Sequence, residues 1–145
     1  MAELIREIVI DATAETIWPF LVDADRHAEW IGVAELDPRP GGVYRVVAGG
    51  GQHHAAGEFV EVVPKEKVVF TFGWDEPNHP IPAGSTTVEI TLHPEGEKTL
   101  VRLVHRDLPA DAVDDHSNGW NHYLQRLAVV ATGGDPGADA MPGAS

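Results

Sequence analysis

The chain has no cysteine, which removes disulfides, thiolate nucleophiles and thiolate metal sites from consideration at once. Basic residues are scarce. Ten Lys and Arg stand against 23 Asp and Glu, a formal charge of −13 over 145 residues. Such a surface repels the phosphates of nucleic acid and of anionic lipid alike, so neither is an expected partner, and the acidity reads as a source of solubility. Long apolar runs are missing too. Nothing approaches the roughly 18 residues of a membrane span, and MAELIREIVIDA lacks the basic start and the apolar run of about 7–15 residues that a secretory signal needs. We expect a cytoplasmic protein without membrane insertion. Serine-nucleophile motifs, phosphate loops with a lysine and zinc-protease spacings are also absent; GGVYR and AGGGQ lack the strand-to-helix context of a nucleotide site and read as turns.

What remains suits one globular unit. A chain of this length buries roughly 68–70% of the surface its unfolded form exposes, enough for a core without staples. Residues 1–132 are expected to form that single domain. Residues 133–145, GGDPGADAMPGAS, hold too few apolar groups to offset the entropy of ordering and are expected to be a disordered tail.

Ile8 and Ile10 share one face of a first strand. Asp11 and Thr13 stand where helix N-caps stand, ahead of Ile17, Trp18, Phe20 and Leu21 at helical spacing. Pro19 should kink or interrupt that helix. A second short helix is expected over Asp25 to Trp30, capped by Asp25 and ended by Gly32. The period then changes. Strands at Gly42 to Ala48, Ala55 to Val63, Lys67 to Trp74, Thr86 to His93 and Thr99 to His105 are separated by Gly- and Pro-rich turns, the pattern of an antiparallel meander. Val68, Phe70, Phe72 and Trp74 fall on one face, as do Val88, Ile90 and Leu92, and as do Val101, Leu103 and His105. After Pro109, Asp111 to Ala131 reads as a helix with Val113, Trp120, Leu124, Leu127 and Ala131 along its apolar stripe.

This order predicts an α+β helix-grip fold: a curved antiparallel sheet of six or seven strands wrapped around a long C-terminal helix, with two short helices after the first strand. A twisted sheet of that width exceeds one helix of about 10–12 Å diameter and leaves a hollow beside it unless large side chains fill the space.

GEFVEVVPKEKVVFTFGW, TTVEITLHPEGEKTLVRLVHRDLP and HSNGWNHYLQRL, in this order, resemble the SRPBCC (START-like, helix-grip) superfamily, and within it the homologues of the activator of the 90-kDa heat-shock protein ATPase. The early segment WPFLVDADRHAEW is similar to the family's as well, and the resemblance covers about residues 4 to 132. It implies a cavity between sheet and C-terminal helix. Its members include lipid and hormone carriers, polyketide cyclases, resistance proteins and a co-chaperone, so one fold serves several uses.

Candidate binding residues follow from the inward faces. The aromatic set is Trp30, Tyr44, Phe59, Phe70, Phe72, Trp74, Trp120 and Tyr123; beside it stand Val88, Ile90, Leu103 and Leu124. Such walls suit a small, flat, hydrophobic or aromatic molecule such as a lipid or a polyketide-like metabolite, held for sequestration, transport or self-protection. If the rings pack only on one another, the core is filled and there is no ligand. His105 follows Leu103 on the inward face, and Asp107 and His116 are placed to join it in a polar cluster. That cluster would orient a ligand or, in a cyclase, dehydratase or hydrolase, supply a general base. The alternative is a core histidine with satisfied hydrogen bonds. No cofactor and no metal are expected: His116 and His122 lie six apart on a helix, about 240° around its axis, and His53 and His54 point to opposite faces of a strand. A co-chaperone-like interaction module and a weak homodimer complete the expected alternatives.

Overall fold

The computed structural model describes residues 2–137 and 139. Seven strands form one antiparallel sheet: β1 (Ala2–Ile10), β2 (Ala34–Leu36), β3 (Val43–Ala48), β4 (His53–Val63), β5 (Lys67–Phe72), β6 (Thr86–Glu95) and β7 (Lys98–Leu108), in the order β1-β7-β6-β5-β4-β3-β2. Two short helices, α1 (Ala14–Val22) and α2 (Ala24–His27), follow β1, and α3 (Val113–Ala131) comes last, entered by a single 3-10 turn at Ala110–Ala112. The architecture is the α+β helix grip that the pattern predicts.

Local chemistry explains the boundaries. Thr13 caps α1, its hydroxyl accepting from Thr16 N at 3.2 Å. Pro19 does not interrupt the helix. It forfeits one intrahelical bond, but buried Ile17, Phe20 and Leu21 anchor the segment and Asp23 N closes the last turn on Pro19 O at 2.9 Å. The second helix is shorter than expected and is capped by Asp23, whose carboxylate accepts from Asp25 N at 3.0 Å, instead of by Asp25 itself. β2, only three residues long, has too few positions to show a period.

Two irregularities bend the sheet. Between β4 and β5 the register slips at Val60, and between β1 and β7 it slips where Arg106 and Asp107 oppose a single residue, Glu3. Asp107 adopts φ +67° there. Gly57 serves a close approach, because a Cβ at that position would stand 1.9 Å from Thr71 O. β5 ends at Phe72, and Trp74, expected as its last residue, forms isolated bridges to Ala55 and Pro82.

On the concave face Val68, Phe70, Val88, Ile90, Val101 and Leu103 are all buried. α3 covers them with Trp120, Tyr123, Leu124, Leu127, Val130 and Ala131. Arg6 of β1 donates to the Ser117 hydroxyl and Arg126 Nε to Trp30 O at 3.0 Å, tying the helix to both sides of the grip. The convex face is wet and laddered by ion pairs, Arg106 with Glu89, Lys67 with Glu61 and Arg102 with Glu7. Among the described residues no helix is long and apolar enough to cross a membrane. Of the tail expected over residues 133–145, residues 138 and 140–145 lie outside the described residues.

Candidate ligand-binding site

The inward rings divide into two groups along β5. Toward Phe70 they interlock: Tyr44 stacks on Phe70 at 4.0 Å and 15°, while Phe59 meets both rings edge-on at 5.8 and 6.0 Å. Trp30 joins them from behind α2, its Nε1 donating to Phe20 O at 2.8 Å. Toward Trp74 the rings stand around a hollow lined by Tyr44, Phe72, Trp74, His116, Trp120 and Tyr123, together with the smaller Ile31, Val46, Ala48, Ala55 and Gly119 and the carboxylate-bearing Asp115.

Six of the expected residues therefore line the hollow. The other eight do not: Trp30, Phe59, Phe70 and Val88 are core, and so are Ile90, Leu103, His105 and Leu124. The hollow is narrow, about 30 Å³, which holds one or two waters; an engineered cavity that admits benzene measures about 150 Å³. A larger open groove of about 270 Å³ runs along β2, β3 and β4, but Glu35, Arg45, His54 and Asp75 give it a charged, solvated lining.

Three buried histidines organise the polar atoms. His105 Nδ1 accepts from Trp120 Nε1 at 3.0 Å, so its proton sits on Nε2, which faces Thr86 Oγ1 at 2.8 Å, and that hydroxyl donates onward to Phe72 O at 2.6 Å. His116 Nε2 accepts from Trp74 Nε1 at 3.1 Å, leaving Nδ1 to donate to Ala112 O at 2.9 Å. The two imidazoles meet edge-to-face at 5.5 Å. His27, which the sequence reading did not single out, donates from Nδ1 to Phe20 O and accepts from the Tyr44 hydroxyl, both at 2.9 Å.

Each ring is thereby fixed as a neutral tautomer, and burial agrees. It lowers the pKa of His27 to about 4, and burial with the neighbouring His116 lowers that of His105 to about 3. Burial also lowers His116, against the opposing pull of the Ala112 carbonyl and Asp115. Protonating His105 would set an N–H against the Trp120 N–H. It is a satisfied core histidine without a nitrogen to spare for substrate. Asp107 does not join it: the extra residue in β7 breaks the alternation and leaves the carboxylate exposed.

Because Trp74 donates to His116, Trp120 to His105, Tyr44 to His27 and His116 to the Ala112 carbonyl, these residues turn ring faces and C–H edges to the hollow, with Asp115 adding a carboxylate to the lining. Its outer end is set by α3 and the β3–β4 turn, where Gly49, Gly50 and Gly51 all take positive φ. Among the described residues no group of His, Asp and Glu could hold a metal ion.

The family described as "Activator of Hsp90 ATPase homolog 1-like protein" matches residues 11–132. Among curated proteins no relative matches by sequence. Among solved structures, an AHSA1-like protein of Rhizobium etli is 39% identical, with a TM-score of 0.74 over 99% of this chain and 90% of that one. DynU16, a protein of the dynemicin biosynthetic locus, has a TM-score of 0.80 at 21% identity; 95% of this chain is covered, yet it spans only half of DynU16. The Aha1 dimer of Colwellia psychrerythraea has a TM-score of 0.78 at 20% identity, covering 92% of this chain and 98% of that one.

Proposed function

Since the chain belongs to the Activator of Hsp90 ATPase homolog 1-like family, a branch of the SRPBCC superfamily, we propose that it binds a small, flat, apolar molecule, aromatic or lipid-like, between α3 and the sheet. One observation carries this reading: the outer half of the grip is walled by aromatic rings whose polar atoms are already committed, and it opens to solvent. Tyr44, Phe72, Trp74, His116, Trp120 and Tyr123 are the residues that would touch the ligand. At about 30 Å³ the ligand-free hollow is closed to a ring, so binding is coupled to widening.

Titration with indole, followed by NMR and thermal unfolding, tests the reading. Saturable shifts of the Trp74 and Trp120 side-chain N–H signals and a rise in Tm are expected; unmoved signals at millimolar indole would remove the hollow as a ligand site.

An enzymatic role with His105 as base is a weaker reading, because both ring nitrogens are spent. A co-chaperone-like docking role has less ground still: the exposed large apolar residues Ile5, Val9, Val33, Val60 and Val129 are spread over several elements. By analogy with the Colwellia dimer, a weak homodimer is the second partner we propose. Sedimentation equilibrium showing only monomer mass at high concentration would exclude it.

A further inference from the structure

At the Tyr123 end of the hollow the chain binds one of its own carboxylates. Asp139 places Oδ2 2.7 Å from the Tyr123 hydroxyl and 3.2 Å from Gly49 N, and Oδ1 2.8 Å from His122 Nε2. The phenol accepts from Gly49 N at 3.0 Å and donates to Asp139, so its proton is directed at the carboxylate. Arg126, one helical turn beyond His122, adds positive charge. The Asp139 side chain is 7% exposed. A carboxylate gives up that much water only where donors replace it. Burial alone would raise its pKa, but the hydrogen bonds from Tyr123 and His122 and the nearby charges outweigh it and hold the group below its ordinary value. In a chain of charge −13, this is an anion-accepting spot built from a backbone N–H, a phenol and an imidazole.

It is also continuous with the hollow. The Tyr123 ring is part of the apolar wall, and so is Ala48, the residue before Gly49. Deeper in, no side-chain donor is left over to receive a ligand's anionic end, since those of Tyr44, Trp74, His116 and Trp120 are all paired within the chain. The other carboxylate on the wall, Asp115, lies eight residues back along α3, about 12 Å down the axis. It is too far to share these donors, and it opposes an acid bound the other way round.

We infer that Gly49, His122 and Tyr123 form a carboxylate-recognition subsite at the mouth of the hollow, that the ligand is an organic acid with a flat apolar body, and that Asp139 holds the subsite in the ligand-free chain as a built-in competitor. This rests on the ligand-binding reading above and narrows it to a chemical class.

The test compares 2-naphthoate with its neutral isostere 2-naphthamide on the full chain and its variants, by calorimetry and NMR. Asp139→Ala removes the competitor: the affinity for 2-naphthoate is expected to rise about tenfold while that for 2-naphthamide stays within about twofold. Tyr123→Phe keeps the ring and removes the donor, and is expected to erase the preference for the acid. His122→Ala, at a half-buried position, gives the same readout should Tyr123→Phe misfold. In Asp139→Ala, sodium acetate alone is expected to shift the Gly49 amide signal. Equal gains for acid and amide in Asp139→Ala, or an undiminished acid preference in both donor variants, overturn the subsite and leave the apolar-ligand reading standing. Failure of both naphthalene probes to bind any variant defeats the two together.

Discussion

Aromatic rings line both halves of the space under α3, yet only the half near Phe70 is full. There Tyr44, Phe59 and Phe70 are packed on one another, and His27 and Trp30 seal them against α1 and α2 by hydrogen bonds to a single carbonyl, that of Phe20. Near Trp74 the rings are held at their edges instead, by N–H donation into His105 and His116, and their faces are left to a hollow. Residue type does not separate the two halves, since each is built from Trp, Tyr, Phe and His. The difference lies in what the ring faces meet. Rings that stack on rings make core, whereas rings pinned edgewise by a polar partner keep a face available.

The comparison can be broken most forcefully by truncation. Phe70→Ala is expected to cost about 3–5 kcal/mol in urea unfolding, the range for large-to-small changes in a packed core. Phe72→Ala, bordering the hollow, is expected to cost clearly less and to tighten indole binding by enlarging the space. Equal costs would mean that the outer half is packed as firmly as the inner.

Acid probes the same contrast through His27. Its pKa falls from 6.5 in the unfolded chain to about 4 in the fold, so its contribution is complete above pH 6.5 and is lost as the pH descends toward 4. By then about 3 kcal/mol has gone, at 1.36 kcal/mol per unit. His27→Gln should flatten that part of the stability-against-pH curve; an unchanged slope would show that the inner half does not sense the proton.

The smallest expected effect sharpens the comparison furthest, because one substitution is made at both ends. Tyr44→Phe strands the buried Nε2 of His27 and is expected to cost about 1–3 kcal/mol, whereas Tyr123→Phe leaves Asp139 still bonded to His122 and Gly49 and is expected to cost under about 1 kcal/mol. Calorimetric unfolding of the pair measures the difference, and a reversed order would invalidate the assignment of closed and open halves.

Much of this is legible in the sequence. Alternation placed Phe70, Phe72, Val88, Ile90, Leu103 and His105 inward correctly, since period-2 patterning reports the face of a strand directly. What it could not report was an inserted residue. Asp107 was expected beside His105, and the bulge in β7 turned it out to solvent. Nor does a face reveal what lies opposite it, which is why eight of the fourteen expected ligand residues proved to be core. His27 left no periodic trace, sitting in a four-residue helix; its only signal was an imidazole among charged neighbours, near enough in sequence to Phe20 to reach that carbonyl. Gly49 meets Tyr123 and Asp139, 74 and 90 residues away in the sequence, a pairing that no local pattern encodes.

The placement of β1 against β7 bears on how the protein is made. Ile5 pairs with Val104, so β1, which leaves the ribosome before the other six strands, waits for about a hundred further residues, roughly 5–20 s of synthesis, before its neighbour exists. Its nine residues, with Leu4 and Ile10 bound for the interior, stay unsatisfied throughout that interval. Closure of the sheet is therefore a late, non-local event. Of all the elements, β1 is the one most in need of shielding while the chain is still growing.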